Sequence, residues 1–409
     1  MSKTEKIVIC IAAAVLLLSA ATAGVLWMAP PTPGEESSTN PPEPSSESQP
    51  PTPEPVTIRM VAVGDNLIHD TIYKQAAQRA GGQGYDFDFP YQHIAPLIKG
   101  AQVAFINQET LLATAVAPPA SYPRFNSPSQ VGDKLVSLGF NVVNHANNHM
   151  FDWGEAGYAA TIDYWQNQPG VLLTGAYRDN SDLHSLKVMR AGDISIAFIG
   201  MTERTNGLSL PAGSTMRYIS TDERQLIEAL VAAAKKAADL VVVSAHWGNE
   251  DTHNISDYQR ETAQFLAGLG VDIILGHHSH TIQPMEVLER PDGGSTLVAY
   301  SLGNFISAQS SPWNMPAGML DIAITKDYET GKTGVSSVFF VPTVTHYGAG
   351  MADVAIYPLA DYTPELAALH GVRRKYPIFS YKYALDLVRD NIPPAFWSPE
   401  LEELMKENP

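Results

Sequence analysis

The sequence predicts an α/β body. Short β-branched apolar runs alternate with amphipathic stretches from Val56 to Asn304, strand-like runs follow after that point, and a polar, proline-rich segment precedes it all. Val56 to Val63, Val103 to Ile106, Asn141 to Val143, Ile194 to Ile199, Leu240 to Ser244, Val271 to Leu275 and Thr296 to Tyr300 are expected as strands. Between them, Ser129 to Leu138, Glu155 to Gln166, Thr221 to Ala238 and Ser256 to Leu269 carry apolar residues at helical spacing, with Ser129, Thr221 and Ser256 as expected N-caps. Past Asn304, Met319 to Thr325 and Ser336 to Val344 read as strands with no clear helix between them, which points to a second antiparallel sheet or an edge addition. Pro364 to Leu369 and Tyr383 to Arg389 are expected as short helices.

A chain of 409 residues, 44% of them apolar, suffices for one large core or two ordinary ones. Its formal net charge of -17 repels phosphate backbones, so no nucleic-acid partner is expected. The only cysteine, Cys10, lies in an apolar N-terminal run, which leaves the body without thiols for a disulfide framework or a nucleophile. That run, Ile7 to Ala29 behind Lys3 and Lys6, exceeds the roughly 20 residues that span a bilayer and is expected as a transmembrane helix with a cytoplasmic N-terminus. A cleaved signal peptide competes, because Ala21-Thr22-Ala23 resembles a cleavage site. Either reading puts the folded domain on the extracytoplasmic side of the cell membrane. Pro30 to Pro55 is too polar and proline-rich to build a core and reads as a stalk. The expected organisation is therefore an anchor at 1–29, a linker at 30–55, a main domain at 56–350 and a helical extension at 351–409.

Chemistry concentrates where five of the candidate strands end. The segments are Gly64-Asp65-Asn66-Leu67-Ile68-His69, Asn107-Gln108-Glu109, Asn144-His145-Ala146-Asn147-Asn148-His149-Met150-Phe151-Asp152, His246-Trp247-Gly248-Asn249-Glu250 and Gly276-His277-His278-Ser279-His280. Seven of the 12 histidines fall in them. Imidazoles mixed with carboxylates and no thiolates suit hard or borderline divalent ions such as Mn, Fe or Zn, expected here as a pair. On an extended segment His278 and His280 point to one side and reach the same cluster. Asp65 by itself could be a cap or turn residue, but its place after a buried strand favours ligation. Glu109, placed likewise, needs a cationic partner. Asn147 and Asn148 also read as turn formers, one of them left-handed, and Trp247 as a packing residue. A two-ion centre would create a cationic pocket for an anionic group, with His149 as the proton donor to a leaving group. Arg124 and Arg204 are candidates for holding an anionic substrate, although isolated arginines are often only solvated.

In series with Tyr300-Ser301-Leu302-Gly303-Asn304-Phe305, these motifs resemble the CapA family of poly-gamma-glutamate capsule-biosynthesis proteins, whose body belongs to the calcineurin-like metallophosphoesterase superfamily. The resemblance implies a four-layer α/β/β/α sandwich, a membrane-tethered location, and a role with other membrane proteins in making an anionic surface polymer. By motif it assigns Asp65, Glu109, Asn148, His246, His278 and His280 to the metals, with Glu109 bridging, and His149 with Asp152 to catalysis. Asn304, in the last motif, is expected at the substrate. Leu67 stands where the superfamily usually has a ligand histidine, and His69 is the expected replacement. Metal-dependent hydrolysis follows as the expected chemistry, on the polymer or on an exported phosphate ester; a scaffold that keeps only the fold is the non-enzymatic alternative.

Overall fold

Side chains along a strand alternate between faces, and in this chain that alternation sorts the strands into two sheets with a shared interior. The computed structural model describes residues 53–408; the expected membrane helix and all but the end of the linker lie outside them. No helix among the described residues is long and apolar enough to cross a membrane.

One sheet has seven strands in the order β13-β12-β11-β1-β2-β3-β4: β1 (Val56–Asn66), β2 (Val103–Gln108), β3 (Val142–Asn144), β4 (Leu172–Thr174), β11 (Pro316–Asp327), β12 (Lys332–His346) and β13 (Ala355–Pro358). The second has six in the order β5-β6-β7-β8-β10-β9: β5 (Lys187–Ala191), β6 (Ile194–Thr202), β7 (Leu240–His246), β8 (Ile273–His277), β9 (Met285–Glu289) and β10 (Ser295–Ala299). β1 to β4 run parallel, as do β6, β7, β8 and β10. The strand-rich stretch after Asn304 is thus an antiparallel edge addition to the first sheet, not a separate one. Ile196, Phe198, Leu240, Val242, Ile273 and Leu275 join the core that contains β1 and β2, and Phe105 stacks on Phe198 with centroids 6.2 Å apart. Their neighbours Ala197, Ile199, Val241, Val243 and Ile274 face the other way, against the helices Arg224–Ala237 and Asp257–Leu269.

Helix starts follow local chemistry. Ser256 caps Asp257–Leu269 in a reciprocal capping box with Gln259. Thr221 does not act as a cap: its helix begins at Arg224 behind Glu223, and the Thr221 hydroxyl pairs with Tyr258 Oη at 2.6 Å. Ser129 precedes Gln130–Leu138 but is already helical in φ and ψ, so its side chain makes no cap bond. The C-terminal segment holds β13 and the helices Pro364–Leu369, Tyr381–Asn391 and Pro399–Glu407, and its Val372, Phe379, Leu385 and Val388 enter the main core.

That segment is tied down by a neutral histidine. His370 is buried, its Nε2 donates to the Thr345 carbonyl at 3.0 Å and its Nδ1 accepts from the Val372 amide at 3.1 Å. Burial and the neighbouring His346 push its pKa down to about 3, because a second ring proton would face a donor. Between that value and the ordinary 6.5 the unfolded chain binds the proton and the folded chain does not, so stability falls as pH falls. At pH 5 this residue alone should cost ~2 kcal/mol relative to neutrality. Urea midpoints measured from pH 7.5 to 5 should decline less steeply in His370→Gln than in wild type, and equal slopes would refute the assignment.

Candidate metal centre

The carboxyl ends of the parallel strands of both sheets meet at one edge of the shared interior. Register sets Asp65 beside Asn107, Asn107 beside Asn144, and His246 beside His277. His246 continues the face of Leu240 and Val242, and His277 that of Ile273 and Leu275, so both rings turn toward the first sheet. β1 arrives with a register shift at Gly64, where a Cβ would lie 1.9 Å from the Gly303 carbonyl oxygen; only glycine lets Asp65 donate its amide to that oxygen at 2.9 Å.

Two groups of three result, Glu109 with His246 and His278, and Asp65 with Glu109 and His280, each with ligand atoms within 4.8 Å of one another. Glu109 is common to both. His246 Nε2 and His280 Nε2 lie 3.7 and 3.8 Å from Glu109 Oε1, and His278 Nδ1 lies 3.1 Å from His246 Nε2. Neutral groups orient the set. Asn107 donates to Asp65 at 2.8 Å, the His278 amide donates to its other oxygen at 3.1 Å, Asn148 Oδ1 lies 3.0 Å from His246 Nε2, and Asn304 Oδ1 lies 2.9 Å from His280 Nδ1.

The decisive observation is Glu109 itself. It is fully buried and neither carboxylate oxygen has a hydrogen-bond partner. Burial, reinforced by the charge of Asp65, raises its pKa well above the carboxylate range. Burial would also raise Asp65, but hydrogen bonds from His277 and His280 and the charges of His277 and His246 hold it well below. Burial opposes a charge on His280, yet Glu109 and Asp65 lift it to about 10. His278 is pushed down to about 3 by burial and His280, and His246 is lowered by burial and His278. An oxygen left without a donor, beside the imidazoles of His246 and His278 that burial keeps unprotonated, fits a divalent cation, and the absence of thiolates fits a hard or borderline one.

Beside this set, His149 Nδ1 lies 2.8 Å from Asp152 Oδ2, which also accepts the Phe125 amide at 2.6 Å. The expected His149 and Asp152 pair is therefore brought together. Neither Asn147 nor Asn148 is left-handed; Asn147 instead accepts the His149 amide and donates to the Gln108 carbonyl. His278 and His280 are not on an extended segment: their φ values of 90° and 56° turn the chain so that the two rings serve different groups. His69 joins neither group. Its Nδ1 lies 3.1 Å from the Leu67 carbonyl and 3.2 Å from the Ala308 amide, and burial drops its pKa to about 4. Asn304, expected at the substrate, is fully buried and spends its amide on His280 and Gln309. Arg204 is exposed, paired with Glu203 and close enough to His278 to depress it; Arg124 is exposed beside Phe125. Trp247 packs with its indole donating to the Tyr300 carbonyl at 2.9 Å. Sequence reasoning missed the orienting role of Asn107 and the contact of His277 Nδ1 with Asp65 at 3.3 Å. Both residues lie inside the ligand motifs, which was the available signal.

Residues 59–309 match the family described as bacterial capsule synthesis protein PGA_cap. The PGA biosynthesis protein CapA of Bacillus subtilis is 29% identical over 204 residues, covering 50% of this chain and 52% of that protein. The capsule biosynthesis protein CapA of Bacillus anthracis is 26% identical over 261 residues, covering 62% and 60%. The chain thus matches little more than half the length of these relatives. Among solved structures, the NAD nucleotidase of Haemophilus influenzae aligns at 13% identity and a TM-score of 0.44, over 87% of this chain and 60% of that one, too slight a likeness to carry weight.

With Glu109 common to both groups, Glu109→Gln should abolish metal uptake, whereas His278→Ala and His280→Ala should each reduce it. Its raised pKa adds a second signature. Above the ordinary 4.5 the unfolded chain gives up this proton first, so stability of metal-free protein drops with rising pH until Glu109 ionises in the fold. Chelator-treated Glu109→Gln should therefore melt higher than chelator-treated wild type at pH 8; a variant that melts no higher and still takes up metal would overturn the shared role.

Proposed function

This chain belongs to the PGA_cap family of bacterial capsule synthesis proteins, and from that footing we propose that it serves the synthesis of a poly-gamma-glutamate capsule or related surface polymer as a metal-dependent hydrolase. The observation that carries the hydrolytic part is the unpartnered Glu109 carboxylate shared by two ligand groups beside the His149 and Asp152 pair. Two sheets with helices against them support the four-layer metallophosphoesterase-like reading of the fold. The apolar run behind Lys3 and Lys6 supports a body tethered outside the cell membrane, among other proteins of polymer synthesis.

Asp65, Glu109, His246, His278 and His280, with Asn148 alongside, would hold the ions. Divalent ions there would supply charge to polarise a phosphoryl or acyl centre and to make water a better nucleophile. The protein does the rest. Asp152 accepts a hydrogen bond from His149 Nδ1, which fixes the ring and leaves Nε2–H to donate a proton to the leaving atom. The Phe125 ring stands edge-on to His149 at 4.7 Å and to His69 at 5.2 Å, which limits the approach of bulk water from that side. Arg204, exposed near His278, and Arg124, exposed beside Phe125, are the residues proposed to hold a carboxylate or phosphate of the substrate.

Leu67 favours a second reading. It is buried where the superfamily's ligand histidine would stand, and His69 is turned to the Leu67 and Ala308 backbone, so one ion position would be short of a ligand and the fold could act as a scaffold.

Asp152→Asn is expected to keep the metal content of wild type while lowering kcat by about 10²- to 10⁴-fold on whichever of poly-gamma-glutamate or phosphate esters the metal-loaded full chain turns over. Loss of metal together with activity would instead make Asp152 structural. Deleting the gene in its host should change the amount or length of surface polymer. Unchanged polymer would defeat the capsule role, and metal-free protein inert toward both substrate classes would leave the scaffold.

A further inference from the structure

Charge is unevenly spread over this acidic chain. Its net charge is -17, yet between Glu365 and Asp386 there are four basic residues, Arg373, Arg374, Lys375 and Lys382, and no acidic one. The same stretch carries two of the five large apolar side chains that stand exposed among the described residues, Leu369 at 71% and Ile378 at 67%. The fold closes this stretch on itself. Helix Pro364–Leu369 ends at Leu369; the next residue, His370, sets its ring 4.6 Å from that of Phe379, the residue after Ile378, and Arg373 donates to the Phe379 carbonyl. Leu369 and Ile378 therefore flank one closed turn, with Arg374 and Lys375 exposed at its tip. Neither of these two cations forms an ion pair with a described residue, and Lys375 rides over the half-buried Tyr376 ring at 5.0 Å.

Exposed aliphatics flanking two unpaired cations, with half-buried tyrosines at 376, 381 and 383 behind them, form the composition that seats in anionic lipid headgroups. An anionic polymer would use the cations but has no use for the aliphatics, which cost free energy in water unless covered. The turn also adjoins the metal centre. Tyr376 packs against Trp313 at 5.8 Å, and the adjacent Asn314 donates to the His280 carbonyl at 3.1 Å.

We propose that the Leu369 to Ile378 turn is a membrane contact of the folded body, docking it on an anionic bilayer surface with the metal centre beside the lipid. The contact holds whether the centre is catalytic or not. Ile378→Cys in a Cys10→Ser background leaves the full chain one thiol for an environment-sensitive fluorophore. In nanodiscs containing phosphatidylglycerol, the probe should shift to the blue and resist an aqueous quencher, and in phosphatidylcholine alone it should do neither. Replacing Arg374 and Lys375 by Glu should lower the ratio of lipid-contacting to free probe by at least about tenfold. Equal emission in both lipids, or a shift indifferent to the charge reversal, would overturn the proposal. So would a blue shift produced without lipid, whether by added poly-glutamate or by raising the protein concentration, since the turn would then be a polymer site or a contact between copies.

Discussion

Burying a carboxylate without a single hydrogen bond costs several kcal/mol unless something positive lies against it, and Glu109 is the residue on which that condition falls. The two sheets are arranged around meeting it. β2 delivers Glu109 from one sheet, β7 and the turn after β8 deliver His246, His278 and His280 from the other, and Asp65 comes from the strand paired with β2. No lysine or arginine enters this set. The ligands are steered by asparagine amides, which fix geometry without competing with a cation for the carboxylates.

Ligand holding and proton handling are divided between different kinds of backbone. The ligands sit at strand ends or on a turn where two non-glycine residues are left-handed, a conformation costing about 1–3 kcal/mol each that persists only because the surroundings determine it. The His278 amide on Asp65 and the Asn314 bond to the His280 carbonyl are such surroundings. His149 and Asp152 lie instead on the loop after β3, held through Asn147 and the Phe125 amide. The proton pair can thus change without the ligand set changing, because the two share no hydrogen bond except through the backbone link from Asn148 to His149.

The same separation extends to the surface. A strongly acidic body is repelled by anionic lipid, and the only acid-free basic stretch of this length in the C-terminal segment lies on a turn locked by His370 and Phe379, next to the metal centre. Packing of the neutral His370 into the core therefore serves both stability and the presentation of Arg374 and Lys375.

The sequence by itself determined the α/β alternation, the strands at Val56, Val103, Ile194, Leu240 and Val271, and the motifs that carry every member of the two ligand groups. Period-two burial and the clustering of histidines after apolar runs are local signals, and local signals survive in one dimension. Tertiary structure decided what those signals could not. That His278 joins His246 while His280 joins Asp65, with Glu109 common to both, depends on the left-handed turn at His278 and His280. That Asn304 orients His280, and that His69 is held by the Ala308 amide, depends on neighbours 24 and 239 positions away. Thr221 lost its cap role to a hydroxyl partner on another helix, Tyr258. The sequence left open whether β11 and β12 form a second antiparallel sheet or an edge addition, and only the fold decided for the edge, because strand propensity specifies a strand but not the sheet that will accept its hydrogen bonds.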